Sequence, residues 1–355
     1  MLILRNFFIT ISLILLQGVL IVLADEEIVC YDSVDCFDGL TMFNKTYFPE
    51  SPEKVSTSFR VFVKPDPWRY KQSIHYRNVS TLSMIKKSSP IVLIVHGWVI
   101  DSDSLMYVQL RNALFNRYDT IVAVDWRRGA SVDSYPQSVV NTALVGRETG
   151  QLIKLLSNYR DISPDQIYII GFSLGAHVAG AAGRWLADKL GAKAGRITAL
   201  DGAGPLIGGS KLSLSSADAT FVDAIHTNGG DVEDQFIGHL GHSSPLGHID
   251  FYPNGGQDQP SCAKNTVDVS CNHHSAIYYY MSSIKPCTYV ASKCDSWKTF
   301  SNGNCSYPDT MTARMGFYAN ETVNRGSFYL VTAQLSPYCE VNRKQKRPET
   351  LYGKS

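Results

Sequence analysis

The chain has 355 residues, enough for two average domains or one large α/β domain. An apolar fraction of 44% beside 18% charged residues describes a chain that buries a core, which excludes intrinsic disorder and a coiled coil. Basic and acidic residues number 33 and 32, so no charge excess recruits nucleic acid and a nucleic-acid role is excluded too.

Residues 1–24 read as a secretory signal peptide. Arg5 gives a basic start, residues 7–23 are mostly apolar, Ala24 is small enough for cleavage, and Asp25 to Glu27 follow at once. The expected mature protein is exported. Residues 25–340 show no repeat or low-complexity linker and read as one unit; residues 341–355, with Arg343, Lys344, Lys346 and Arg347, read as a solvated basic tail. The eight cysteines, an even count, suit an oxidising compartment and suggest four disulfides whose connectivity the count leaves open. None is spaced as a zinc ligand. Asn44, Asn78, Asn304 and Asn320 begin glycosylation sequons.

Short apolar runs at 91–96, 121–125, 167–171, 197–200 and 221–225 read as buried parallel strands. Helical patterns at 141–159 and 174–190 lie between them, so the chain is expected to fold as α/β, a parallel sheet covered on both faces. After Cys262 the pattern reads as irregular and cysteine-rich.

The strand at 167–171 runs into Gly171, Ser173 and Gly175, and then into a helix rich in small residues. This is the setting of a nucleophile elbow, where a serine is presented on a strained turn. The small residues Ala176, Ala179, Gly180, Ala181, Ala182 and Gly183 are expected to let that helix lie close to the sheet. Its N-terminus is placed to stabilise charge developing on a substrate carbonyl. Ser173 reads as the nucleophile.

The chain resembles the pancreatic lipase family of α/β-hydrolases, which includes secreted lipases and insect phospholipases A1. The resemblance runs from about Cys30 to Cys339. It rests on ordered motifs: His96-Gly97-Trp98, Val124-Asp125-Trp126, 171–177, 197–205, Ile225-His226-Thr227, 247–256 and Cys271-Asn272-His273. It implies an α/β-hydrolase fold with a mostly parallel central sheet, helices on both faces and a disulfide-rich C-terminal part.

A serine nucleophile needs a histidine to take its proton and a carboxylate to orient that histidine. Asp201 ends the next strand, on the rim that carries Ser173, and the resemblance assigns it the acid's role, with Gly202 following where the family has proline. Asp125, also at a strand end, reads as a structural acid. The resemblance puts the base on His273, in the chain order serine, aspartate, histidine; His274 is the neighbouring competitor, and Ser275 stands where the family has arginine. His96, His177 and His226 read as packing and hydrogen-bonding residues, and His239, His242 and His248 as members of a glycine-rich loop. The oxyanion hole is expected from Leu174 N–H and, by resemblance, Trp98 N–H.

The resemblance further implies the disulfides Cys30–Cys36, Cys262–Cys271 and Cys294–Cys305, with Cys287 and Cys339 the remaining pair. It locates a calcium loop between Pro205 and Asp218, but Ser210, Ser213 and Ser215 stand where carboxylates are needed, so no metal or cofactor is expected. Too few residues follow 340 for the family's C-terminal lipid-binding β-sandwich, and no colipase-type partner is expected.

The reading is a secreted serine ester hydrolase working at a membrane, micelle or emulsion surface. The loop between Cys262 and Cys271, residues 263–270, is short for a lid, which favours phospholipase A1; triacylglycerol lipase or galactolipase is the alternative. The loop 228–246 is long, as in lipases, and its Phe236, Ile237, Leu240 and Leu246 offer an apolar surface to a lipid interface. A non-catalytic lipid-binding protein resembling the yolk proteins is the reading of another class.

Overall fold

The computed structural model describes residues 28–131, 133–230, 238–262, 270–320 and 325–339, besides a short backbone pairing of 15–16 with 19–20. The remainder of the expected signal peptide and the whole basic tail lie outside the described residues, as do Phe236, Ile237 and residues 263–269 of the short loop.

An 11-stranded sheet organises the chain. In chain order its strands are β1 (Ser58–Val63), β2 (Gln72–Ile74), β3 (Ile91–Val95), β4 (Thr120–Asp125), β5 (Ile167–Phe172) and β6 (Ala194–Leu200). They continue with β7 (Ala219–Ile225), β8 (Ile249–Pro253), β9 (Tyr289–Lys293), β10 (Thr312–Met315) and β11 (Gly326–Leu330). The spatial order is β10-β9-β11-β8-β7-β6-β5-β3-β4-β1-β2. From β4 to β11 every neighbouring pair is parallel. Antiparallel strands finish both edges, β1 and β2 on one side and β9 and β10 on the other.

The central strands are apolar throughout because both faces are buried. In β3, Ile91, Leu93 and Val95 join one core cluster while Val92 and Ile94 join the other. Helices α2 (Tyr135–Arg160) and α3 (Leu174–Leu190) cover the first face; α1 (Leu105–Leu114) and α4 (Cys271–Ile284) cover the second. The expected α/β sheet with helices on both faces is present.

The structure corrects three sequence expectations. Helix α2 starts six residues before position 141: the side chain of Ser134 caps it by accepting from Gln137 N–H, and a proline sits in its first turn. The early turns escaped the periodicity because their polar side chains are inside. Asn141 is buried and Gln137 half-buried; they bond the backbone of Glu50 and Phe48 in the N-terminal segment, and Asn141 also bonds Gly129 O. The region after Cys262 is not irregular, since it supplies α4 and the strands β9, β10 and β11. The small residues of α3 serve three contacts rather than one. A Cβ on Gly175 would lie 2.4 Å from the Val95 carbonyl oxygen, Ala181 packs on Gly146 of α2, and Gly183 admits the Asp218 backbone, whose oxygen a Cβ would meet at 1.9 Å.

All eight cysteines are paired, Cys30–Cys36, Cys262–Cys271, Cys287–Cys339 and Cys294–Cys305. The last two fasten the segments around β9 to β11, which have short strands and long connections. Each closed loop limits the unfolded chain and is worth on the order of 2–4 kcal/mol.

Candidate active site

Parallel strands deliver their C-terminal ends to one edge of the sheet, and the candidate residues gather there. Ser173 follows β5 directly and begins α3. Its φ of 55° and ψ of −127° are backbone territory that a side chain rarely enters. The strained turn is held by its own N–H, which donates to Leu200 O at 3.1 Å. Ser173 is 8% exposed.

The oxyanion-hole candidates lie beside it. Leu174 N–H opens the helix. Gly97 passes so close that a Cβ there would stand 2.6 Å from Ser173 Cβ, which brings the Gly97–Trp98 peptide over the nucleophile. His96 fixes that peptide. Its Nε2 accepts from Trp126 N–H at 2.9 Å, so the hydrogen is on Nδ1, which donates to Gly97 O at 2.9 Å. A trans peptide directs C=O and N–H oppositely, so the ring turns Trp98 N–H away from itself. Burial lowers the His96 imidazole below its ordinary value, consistent with this neutral form. The Trp98 side chain donates from Nε1 to Ser131 O at 2.6 Å and packs edge-on against Tyr135.

Asp201 follows β6 and is fully buried. Its Oδ1 accepts the N–H groups of Thr227 and Asn228 at 2.7 and 3.1 Å. Its Oδ2 accepts from His273 Nδ1 at 2.6 Å. An acid already receiving two N–H groups acts as an acceptor, so His273 carries its hydrogen on Nδ1 and keeps Nε2 as a base. His273 stands in the first turns of α4, and its ring lies 4.5 Å from that of Phe172, the residue before Ser173. The structure therefore brings Ser173, Asp201 and His273 to one edge. It is His273, not His274, that makes the carboxylate contact.

The turn after Asp201 is not loosened by Gly202. The Gly202 carbonyl accepts His242 N–H at 2.8 Å and Gly204 N–H donates to Leu240 O at 3.0 Å, so the 240–242 segment closes over it. Gly241, which the sequence reading did not single out, lies directly against the acid: a Cβ there would be 2.5 Å from Asp201 Oδ1. Leu246 is 4% exposed and belongs to the core, so it presents no apolar surface to a lipid.

The other candidates have structural partners. Asp125 accepts from Ser102 Oγ at 2.6 Å and Arg127 Nε at 2.8 Å, and anchors the loop beyond Trp98. Burial opposes its ionisation, yet Arg127 and Ser102 hold it well below the usual carboxylate range. His177 spans from α3 to the 203–214 loop, donating from Nε2 to Ala203 O and accepting Leu214 N–H on Nδ1. Burial pushes it down to about 3, so it works as a neutral clamp. In the segment where the resemblance located calcium, the acceptors serve Arg184 of α3. Its guanidinium bonds Asp218 Oδ2 at 2.7 Å, Ser213 O at 3.1 Å and Leu212 O at 3.2 Å. With a guanidinium in their midst, those residues do not fit a calcium ion.

A strand–serine–helix elbow beside a histidine–aspartate pair, on the C-terminal edge of a parallel sheet, defines an α/β-hydrolase. The Lipase family model matches residues 23–338, and the chain belongs to that family of carboxylic ester hydrolases. It is 33% identical over 321 residues to "Pancreatic lipase-related protein 2" of Rattus norvegicus, covering 82% of this chain and 67% of that protein. It is 31% identical over 344 residues to "Pancreatic triacylglycerol lipase" of Myocastor coypus, covering 87% and 73%. It is 32% identical to "Inactive pancreatic lipase-related protein 1" of Mus musculus, covering 88% and 71%.

Proposed function

We propose that this chain is a secreted lipid ester hydrolase of phospholipase A1 type, releasing the sn-1 acyl chain through an acyl-enzyme. The observation that carries the reading is the 2.6 Å bond from His273 to Asp201 on the edge that presents Ser173. Ser173 Oγ attacks the acyl carbonyl as His273 Nε2 takes its proton, and Asp201 steadies the imidazolium that forms. The oxyanion falls to the N–H groups of Trp98 and Leu174. His273 then protonates the departing alcohol, and water releases the acyl chain by the same route. Four disulfides support an oxidising, extracellular setting.

The headgroup preference is supported by the loop between Cys262 and Cys271. Its ends are tied with Cα atoms 5.8 Å apart, and a doubled-back loop of that length reaches about 15 Å at most from its base. So short a reach favours an open site, with room for a bulky polar headgroup. A triacylglycerol lipase is the second reading, favoured by the long 228–246 segment and the name of the coypu relative. A non-catalytic lipid binder is the third, in view of the relative named inactive.

Purified protein assayed on phosphatidylcholine micelles, a triacylglycerol emulsion and a short soluble ester separates the three. The expected result is sn-1 release from phosphatidylcholine, with rates rising smoothly through the micelle threshold. Triacylglycerol hydrolysis without sn-1 release selects the second reading, and no ester cleavage at all selects the third.

A further inference from the structure

His226, just past β7, is 1% exposed and each of its ring nitrogens faces an acceptor. Nδ1 lies 2.8 Å from His242 O and Nε2 lies 2.9 Å from Asp250 Oδ1. A carbonyl oxygen only accepts, so Nδ1 carries a hydrogen. Asp250 Oδ1 also receives Leu246 N–H at 2.7 Å and Gly247 N–H at 3.2 Å, and Oδ2 receives Gly247 N–H at 3.2 Å. A carboxyl group that accepts backbone N–H groups on both oxygens acts as an acceptor toward the ring, so Nε2 carries a hydrogen as well. The ring is then an imidazolium, covered on one face by Tyr252 stacked at 4.6 Å.

We propose that the buried His226–Asp250 ion pair holds and polarises Asp201, which makes His226 a positioning residue for the ester hydrolysis although it does not touch the reacting atoms. This rests on the triad reading above. The two residues after His226 are Thr227 and Asn228, whose N–H groups hold Asp201 Oδ1. The His226 backbone is fixed in turn by its N–H bond to Phe251 O at 2.9 Å. Its ring also grips the His242 carbonyl, and His242 N–H closes on Gly202 O, the turn directly after Asp201. One charged ring therefore ties together both backbone segments that define where the acid sits.

Burial alone would depress the His226 imidazole. The hydrogen bond and charge of Asp250, and after them the charge of Asp201, outweigh it and leave the group raised. The other groups facing it are the His242 imidazole, itself lowered by burial and by His226, and the Tyr252 ring. A raised histidine stabilises the fold fully below its unfolded value and loses that contribution as pH rises through its folded value. The raised direction agrees with the two hydrogen bonds, which both require a hydrogen on the ring nitrogen facing them.

Two measurements on the full chain test this. Nitrogen NMR of histidine-labelled protein at neutral pH is expected to show both His226 ring nitrogens protonated; one bare nitrogen overturns the proposal. Kinetics of His226→Gln and Asp250→Asn on a soluble ester are expected to show kcat reduced about 10–100-fold, the cost of a slightly misplaced catalytic group, with KM within about twofold. In His226→Gln the acid limb of the kcat/KM profile is expected to move to higher pH, because a positive charge near the His273–Asp201 pair has been removed and the His273 imidazolium is less disfavoured. An unchanged kcat, or a lower kcat with an unmoved pH profile, leaves the pair a packing feature and overturns the proposal. If both variants fail to fold, the NMR result decides. Turnover surviving in Ser173→Ala overturns the triad reading itself, whatever His226 does.

Discussion

Glu148 lies inside helix α2 at 1% exposure, and burial pushes its carboxyl up to about 7. The unfolded chain releases that proton near 4.5, so between these values only the folded protein keeps it. Stability from this group is complete below the unfolded value and drains away as pH rises through the folded one. The loss reaches about 3 kcal/mol, since one pKa unit is about 1.4 kcal/mol. Glu148→Gln should therefore match the wild type in denaturant unfolding at acid pH and exceed it by about that amount at mildly alkaline pH. An equal difference at both pH values would show that the carboxyl is not the cause. Ser173 was legible in the sequence because everything its turn requires is local: a strand before it, glycines on either side, a helix after it. Gly241 and His226 were not legible in their full roles. Their partners, Asp201 and Asp250, stand far along the chain, and only the fold brings them within bonding distance.

Among the elements, helix α3 has the most to accommodate: the sheet, helix α2 and the 205–218 segment. Its composition announced close packing, but one chain cannot say which small residue meets which neighbour. The first six residues of α2 were hidden for the converse reason, since Gln137 and Ser138 turn polar side chains inward and break the apolar stripe that marks a helix. The edge strands β1, β2, β9 and β10 were passed over because polar residues interrupt them and they lack the unbroken apolar runs of the centre. The grip of Arg184 on Asp218 carries a prediction at this scale. A chelator should leave activity and melting temperature unchanged. Arg184→Gln should destabilise by about 3 kcal/mol, the usual cost of leaving a buried carboxylate unpaired. Burial already pushes Asp218 up against the charge of Arg184 and the hydrogen bonds of Ser215, so losing the one cation bonded to it leaves the carboxylate undercompensated. A melting temperature that falls with chelator and recovers with calcium would show ligands beyond those identified.

For the molecule as a whole, the parallel sheet is what makes the site possible. Trp98, Ser173, Asp201 and His226 follow β3, β5, β6 and β7 in turn, so four separate chain segments end on one rim. The α/β class was readable because alternating runs of strand and helix allow few other packings. The lipid class could be read only from the length of the 263–270 loop, because it depends on loops whose shape no local pattern fixes. The central claim is that Ser173, activated by His273 and Asp201, performs the chemistry. A fluorophosphonate probe followed by peptide mass spectrometry tests it most directly. One adduct per chain is expected, on Ser173, accumulating in step with loss of esterase activity and nearly abolished in His273→Ala but not in His274→Ala. Complete modification of Ser173 with activity intact, or inactivation with the adduct on another residue, would contradict it.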